Sequence, residues 1–66
     1  MNLSEVIKTR RRTLGISQID LSEMSGVALA TIKDIERGKG NPSMGTVSKI
    51  MDILGMEILF KVRQTV

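Results

Sequence analysis

Apolar residues along this chain recur at three- and four-residue intervals as far as Leu54, then switch to an alternating pattern. Leu3, Val6, Ile7 and Leu14 fall on one helical face. Asn2 followed three positions later by Glu5 has the form of a capping box, and Gly15 offers a C-terminal stop, so helix is expected over residues 3 to 13. Ser17 can cap a short second helix, with Asp20 near its positive end. That helix should end around Met24–Ser25, where Gly26 can take the left-handed conformation of a turn. A third helix is expected from about Ala28 to Arg37, with Ile32 and Ile35 facing inward. Gly38-Lys39-Gly40-Asn41-Pro42 is a loop signal. Ser43 then caps a fourth helix, in which Met44, Val47, Ile50, Met51 and Leu54 repeat at helical spacing and which Gly55 closes.

Beyond Gly55 the period is two. Met56, Ile58, Phe60 and Val62 alternate with Glu57, Leu59, Lys61 and Arg63, a strand pattern with one apolar face. A strand cannot satisfy its own backbone, and the rest of the sequence offers no second strand. The simplest partner is the same strand of a second copy, paired antiparallel across a two-fold axis. The alternatives are a further helical turn or a frayed end. The expectation is an all-α, four-helix domain over residues 1–55, followed by a dimerisation strand and tail over residues 56–66. Met56, Ile58, Leu59, Phe60 and Val62 would form the homodimer interface.

Sixty-six residues hold one domain, without room for a separate catalytic lobe. A chain of this size buries only about 60% of its unfolded surface, so its core is marginal and self-association is an effective way to bury more. Cysteine, histidine, tyrosine and tryptophan are all absent. Disulfides and a zinc staple are thereby removed, as are the usual near-neutral acid–base residue and the thiol nucleophile. The remaining serines and carboxylates have no base or metal set around them. No enzyme activity, metal site or cofactor is expected. The net charge of +3 suits an anionic partner. No apolar run approaches the ~20 residues of a membrane span, and the opening Met1-Asn2-Leu3-Ser4-Glu5 does not begin a signal peptide. A cytoplasmic, nucleoid-associated protein without a membrane partner is expected.

The stretch QIDLSEMSGVALATIKDI, from Gln18 to Ile35, has the spacing of a helix-turn-helix. Small Ser22 and Gly26 stand where two helices approach and the backbone turns. Leu21, Val27, Ile32 and Ile35 stand where they share a core. In such a motif the second helix lies in the major groove of double-stranded DNA and the first crosses the backbone. The outward residues are then Ala28, Leu29, Ala30, Thr31, Lys33, Asp34 and Arg37. Lys33 can reach guanine acceptors or a phosphate, and Asp34 can accept from a cytosine amino group. Thr31 can bond a phosphate oxygen, whereas Leu29 and Ala30 can read only thymine methyls or groove shape. Gln18 joins a side-chain amide to an electropositive helix start, and Arg37, Lys39 and Asn41 are placed to grip phosphates. Against this stands the ordinary role of exposed charges on a solvated face, and a protein-contact patch is the lesser alternative for Ala28-Leu29-Ala30. Within Arg10-Arg11-Arg12, Arg11 follows Ile7 by four residues and falls beside the apolar face. Buried there it needs an anion, for which Glu36 is the candidate, and Arg10 and Arg12 are left as phosphate contacts.

Residues Val6 to Leu54 resemble the Cro/lambda-repressor-like (XRE) helix-turn-helix family, through TRRRTLGISQIDLSEMSGV, TIKDIERGKGNPS and KIMDILG. The resemblance implies base reading by the third helix and an Arg–Glu pair tying helix 1 to helix 3, which falls here on Arg11 and Glu36. GVALATIKDIERGKGNPS together with LGMEILFKV looks more narrowly like HipB-type antitoxins. Those are small dimers with a C-terminal strand that repress their own operon and restrain a HipA-type kinase toxin. Ala30 departs from the family, in which many members carry a polar or basic residue there, and Ser25 replaces a residue often Ala or apolar. The expected function is that of a repressor at an inverted-repeat operator, as the antitoxin of a toxin–antitoxin pair. A stand-alone phage or mobile-element repressor and a protein-interaction adaptor are the rival readings.

Overall fold

Four helices, α1 (Leu3–Thr13), α2 (Gln18–Ser25), α3 (Leu29–Glu36) and α4 (Met44–Leu54), follow one another with short connections. The structure is a computed structural model and describes residues 2–62; Arg63, assigned above to the alternating tail, and the remainder to residue 66 lie outside the described residues, as does Met1. The helix starts are set by side chains the sequence supplies. Asn2 Oδ1 accepts the Glu5 amide at 3.0 Å, and Ser43 Oγ accepts the Thr46 amide at 3.1 Å. At α2 the box is complete: Ser17 Oγ accepts the Asp20 amide and Asp20 Oδ2 accepts the Ser17 amide, each at 2.9 Å. The Ser17 amide, and after it the Ser17 hydroxyl, hydrogen-bond the Asp20 carboxylate and hold it below its ordinary value. Ala28 has no capping group, and α3 begins without a side-chain cap.

Gly15 follows the end of α1 at φ +71°, Gly26 ends α2 at +73° and Gly55 ends α4 at +69°, all in the left-handed region that side chains with a Cβ resist. After α1 the Gly15 and Ile16 amides return to Arg12 and Arg11 carbonyls. The C-terminal end of α4 gains a bond from another helix: Arg10 Nε donates to the Leu54 carbonyl at 2.9 Å. Arg10, half-buried, therefore ties α1 to α4 by serving a helix end whose last carbonyls lack intrahelical donors.

Ile7, Leu21, Val27, Ile32, Ile35, Val47, Ile50, Met51 and Leu54 form the core, with α1 and α2 each packed on both α3 and α4. Two expected core positions are exposed. Leu14, 43% exposed, caps the end of α1 where the chain is already turning away, and Met44, 55% exposed, lies on the first turn of α4. Among the described residues Met56 to Val62 form no strand, since a single chain provides no ladder partner. The alternation is split there. Met56 and Ile58 pack against the core, whereas Leu59, Phe60 and Val62 are more than 80% exposed.

Glu36, only 3% exposed, is the buried charge at the centre of this arrangement. Arg11 Nε donates to Glu36 Oε2 at 2.8 Å, and Arg11 Nη2 donates to Oε1 at 2.9 Å, a two-pronged pair. The third guanidinium nitrogen, Nη1, donates to the Ile16 carbonyl at 2.9 Å, and Gln18 Nε2 donates to Glu36 Oε1 at 3.2 Å. The carboxylate thus joins α1, α2 and α3, and through Arg11 the pair also holds the turn after α1. Burial pushes the Glu36 pKa upward, but the hydrogen bonds from Arg11 and Gln18 and the positive charges of Arg11 and Lys8 outweigh it and hold it below the ordinary glutamate value. The hydrogen bond to Glu36 raises the Arg11 guanidinium in turn, against desolvation.

Arg11→Ala should lower stability by about 3–5 kcal/mol, because it leaves the carboxylate buried without its cation. An unchanged melting temperature would remove the pair from the fold's essential contacts. A carboxyl whose folded pKa is depressed contributes its full stability above the unfolded value of about 4.3, and that contribution fades as pH falls through the folded value. The gap in urea midpoint between the native chain and Glu36→Gln should therefore narrow on acidification from about pH 7 to pH 3. A gap independent of pH would mean that Glu36 carries no such linkage.

Candidate nucleic-acid interface

The α2–α3 pair meets at a turn held by two serine hydroxyls. Ser22 Oγ donates to the Val27 carbonyl at 2.6 Å. Ser25 Oγ donates to the Leu21 carbonyl at 2.6 Å and accepts the Val27 amide at 3.2 Å. Both backbone groups of Val27 are satisfied this way while its side chain enters the core. The hydroxyls tie α2 to the turn that leads into α3, a role that small size at Ser22 or a tolerated change at Ser25 does not convey.

With Ile32, Ile35 and Glu36 buried, α3 turns its opposite face outward. Ala30, Lys33, Asp34 and Arg37 are spaced i, i+3, i+4 and i+7 and so form one stripe along that face. Ala30, Lys33 and Arg37 are exposed, and Asp34 is partly so. Gln18 of α2 borders the same shallow depression as these four. Thr31, Asp34, Lys39 and Asn41 border a neighbouring one, closed by Gly40 and Pro42. Eight of the ten candidate residues are thus gathered on one continuous surface, with Asp34 between its two halves. Ala28 is exposed at the start of α3 and Leu29 is half-buried; neither lines those depressions.

Charge on this surface is less available than the sequence suggests. Arg37 Nη2 donates to Asp34 Oδ1, so the carboxylate expected to accept from a base already holds a cation. The i,i+3 spacing of the two residues carries that pairing in the sequence itself. The Gln18 amide nitrogen is held by Glu36, so Gln18 presents its backbone at the start of α2 more readily than its side-chain donors. Lys33 and Lys39 make no ion pair among the described residues. Around the loop, the Lys39 amide donates to the Asp34 carbonyl at 2.8 Å, which ties the segment carrying Lys39 and Asn41 to the end of α3. The described residues contain no cluster of three or more His, Cys, Asp or Glu able to hold a metal, and no helix long and apolar enough to cross a membrane.

Residues 7–60 match the family model described as Helix-turn-helix. An uncharacterized HTH-type transcriptional regulator of Haemophilus influenzae is 45% identical over 47 residues, covering 71% of this chain and 48% of its own length. An immunity repressor protein of Bacillus phage phi105 is 29% identical over 58 residues, covering 88% of this chain and 40% of the relative. An uncharacterized HTH-type transcriptional regulator of Methanothermobacter thermautotrophicus is 36% identical over 52 residues, covering 79% of this chain and 75% of the relative. The chain therefore spans less than half the length of the Haemophilus and phage relatives. The matched region takes in the capped α2, the serine-held turn and the exposed stripe of α3, and the chain belongs to the XRE-type helix-turn-helix family.

Proposed function

We propose that this chain is a DNA-binding transcriptional repressor that engages an inverted-repeat operator as a homodimer. The observation that carries the reading is the stripe of Ala30, Lys33, Asp34 and Arg37 on the outer face of the second helix of the motif. Placed in the major groove, it puts Lys33 and Ala30 at the base edges. Thr31, Lys39, Asn41 and the Asp34-oriented Arg37 lie where phosphates pass, and the start of α2 at Gln18 offers amides without an intrahelical acceptor. These contacts act in the cytoplasm, at the nucleoid, without cofactor, metal or chemical step.

The dimer rests on residues 56–66 as the pairing segment. Exposed Leu59, Phe60 and Val62 are apolar surface that a second copy covers, and antiparallel pairing satisfies the backbone the single chain leaves unpaired. Met56 and Ile58 anchor the segment on the chain's own core. Two-fold symmetry then sets half-sites one or more helical turns apart, roughly 34–36 Å per turn.

Within this reading the chain is the antitoxin of a toxin–antitoxin operon, repressing that operon and restraining a HipA-type kinase. The support is the resemblance of GVALATIKDIERGKGNPS and LGMEILFKV to HipB-type antitoxins. A second reading, a stand-alone repressor, is favoured by the similarity to the phage immunity repressor. Affinity capture of the chain at native level after nuclease treatment separates the two. A stoichiometric kinase-like partner establishes the antitoxin, and its absence leaves the stand-alone repressor.

DNA binding is tested on a duplex selected from a random library. Affinity should fall steeply with salt. Lys39→Ala should reduce the salt slope by about one without altering sequence preference, and Lys33→Ala should cost about 1–3 kcal/mol and relax preference at one position. Failure to select any duplex would favour the adaptor reading. For the dimer, Leu59→Lys combined with Val62→Lys alters only exposed side chains and should yield a monomer by sedimentation. A persistent dimer would move the interface onto the helices.

A further inference from the structure

The outer stripe of α3 begins with a side chain that is a single methyl group. Ala30 is exposed, lies one turn before Lys33 and borders the same depression as Gln18, Lys33, Asp34 and Arg37. Two of the polar groups around it have partners within the chain. Gln18 Nε2 is held by Glu36, and Arg37 is held by Asp34. Exposed Ala28 and half-buried Leu29, which precede it, add no side-chain donor or acceptor. The leading half of the stripe is therefore apolar and short, and only Lys33 brings an unpaired cation to its middle.

A methyl group pressed against a base edge is not neutral among bases. Guanine, adenine and cytosine offer it no methyl partner in the major groove, and where it covers one of their hydrogen-bonding groups it displaces water without replacing the bond. Thymine alone presents its own methyl group, at C5, in the major groove. We infer that Ala30 is a specificity-determining residue that selects thymine through methyl–methyl contact, in each half-site next to the base read by Lys33. The inference rests on the reading of this surface as a DNA interface. It explains what a residue without donors does in the middle of that surface. The short side chain also lets the helix approach the base edges closely, so the methyl contact is dry.

The test uses a chemical change in the DNA that leaves base pairing intact. A duplex is selected from a randomised library by the full chain. Each thymine of the selected sequence is then replaced in turn by uracil, which removes the C5 methyl and keeps the O4 acceptor. One position per half-site should lose about four-fold in affinity, the ratio corresponding to burial of one methyl-sized group. Ala30→Gly, with its folding checked by circular dichroism, should bind the thymine and uracil duplexes alike, whereas Lys33→Ala should keep the discrimination. A selected duplex in which every uracil replacement changes affinity by less than about two-fold would overturn the methyl contact and leave DNA binding standing. If no duplex is selected at all, the interface reading fails, and the inference with it.

Discussion

Everything in this chain that bears on DNA depends on a buried ion pair. Without Arg11, the Glu36 carboxylate at the end of α3 is an uncompensated charge in a core of nine apolar residues. With it, the pair becomes the point at which α1, the following turn, α2 and α3 are held together. The consequence reaches the surface directly. Glu36 belongs to the inward stripe of the same short helix whose outward stripe carries Ala30, Lys33 and Arg37, so fixing the one face fixes the other. A core this small has little apolar surface with which to orient an eight-residue helix, and a directional, charged contact does that work where packing is thin.

Polar side chains repeat this service at each junction. Arg10 closes the end of α4 from α1, Ser17 and Asp20 start α2, and Ser22 and Ser25 hold the turn through Val27. Among the described residues no buried side-chain nitrogen or oxygen is left without a partner. The domain thus combines a marginal hydrophobic core with a network of short-range caps. The exposed stripe stands apart from that network except at two points, Gln18 and the Asp34–Arg37 pair. Those contacts occupy the Gln18 amide and the trailing half of the stripe, while its leading end carries Ala30, which has no side-chain donor or acceptor.

The helix boundaries were legible along the chain because local physics sets them. Capping residues, glycines at left-handed positions and apolar residues at 3.6-residue spacing all act within a few residues of where they stand. The Arg11–Glu36 pair was legible too, since a charge on an apolar face demands a partner. The fates of Gln18 and Arg10 were not. Each reaches a group that adjoins it only after the helices pack: Glu36 for Gln18, and the Leu54 carbonyl, 44 residues away, for Arg10. The same holds for Leu14 and Met44, whose helical phase suits the core but whose places at helix ends leave them in solvent.

The sequence alone therefore determined the four helices, their caps, the order of the motif and the residues of its outer face, because these follow from interactions between near neighbours. Tertiary structure alone decided that Glu36 takes the Gln18 amide and the Leu54 carbonyl takes Arg10, and how the tail divides between its own core and solvent. The reason is geometric. Hydrogen bonds and ion pairs require particular atoms within about 3 Å of each other. For residues distant along the chain, that proximity exists only once the helices have packed.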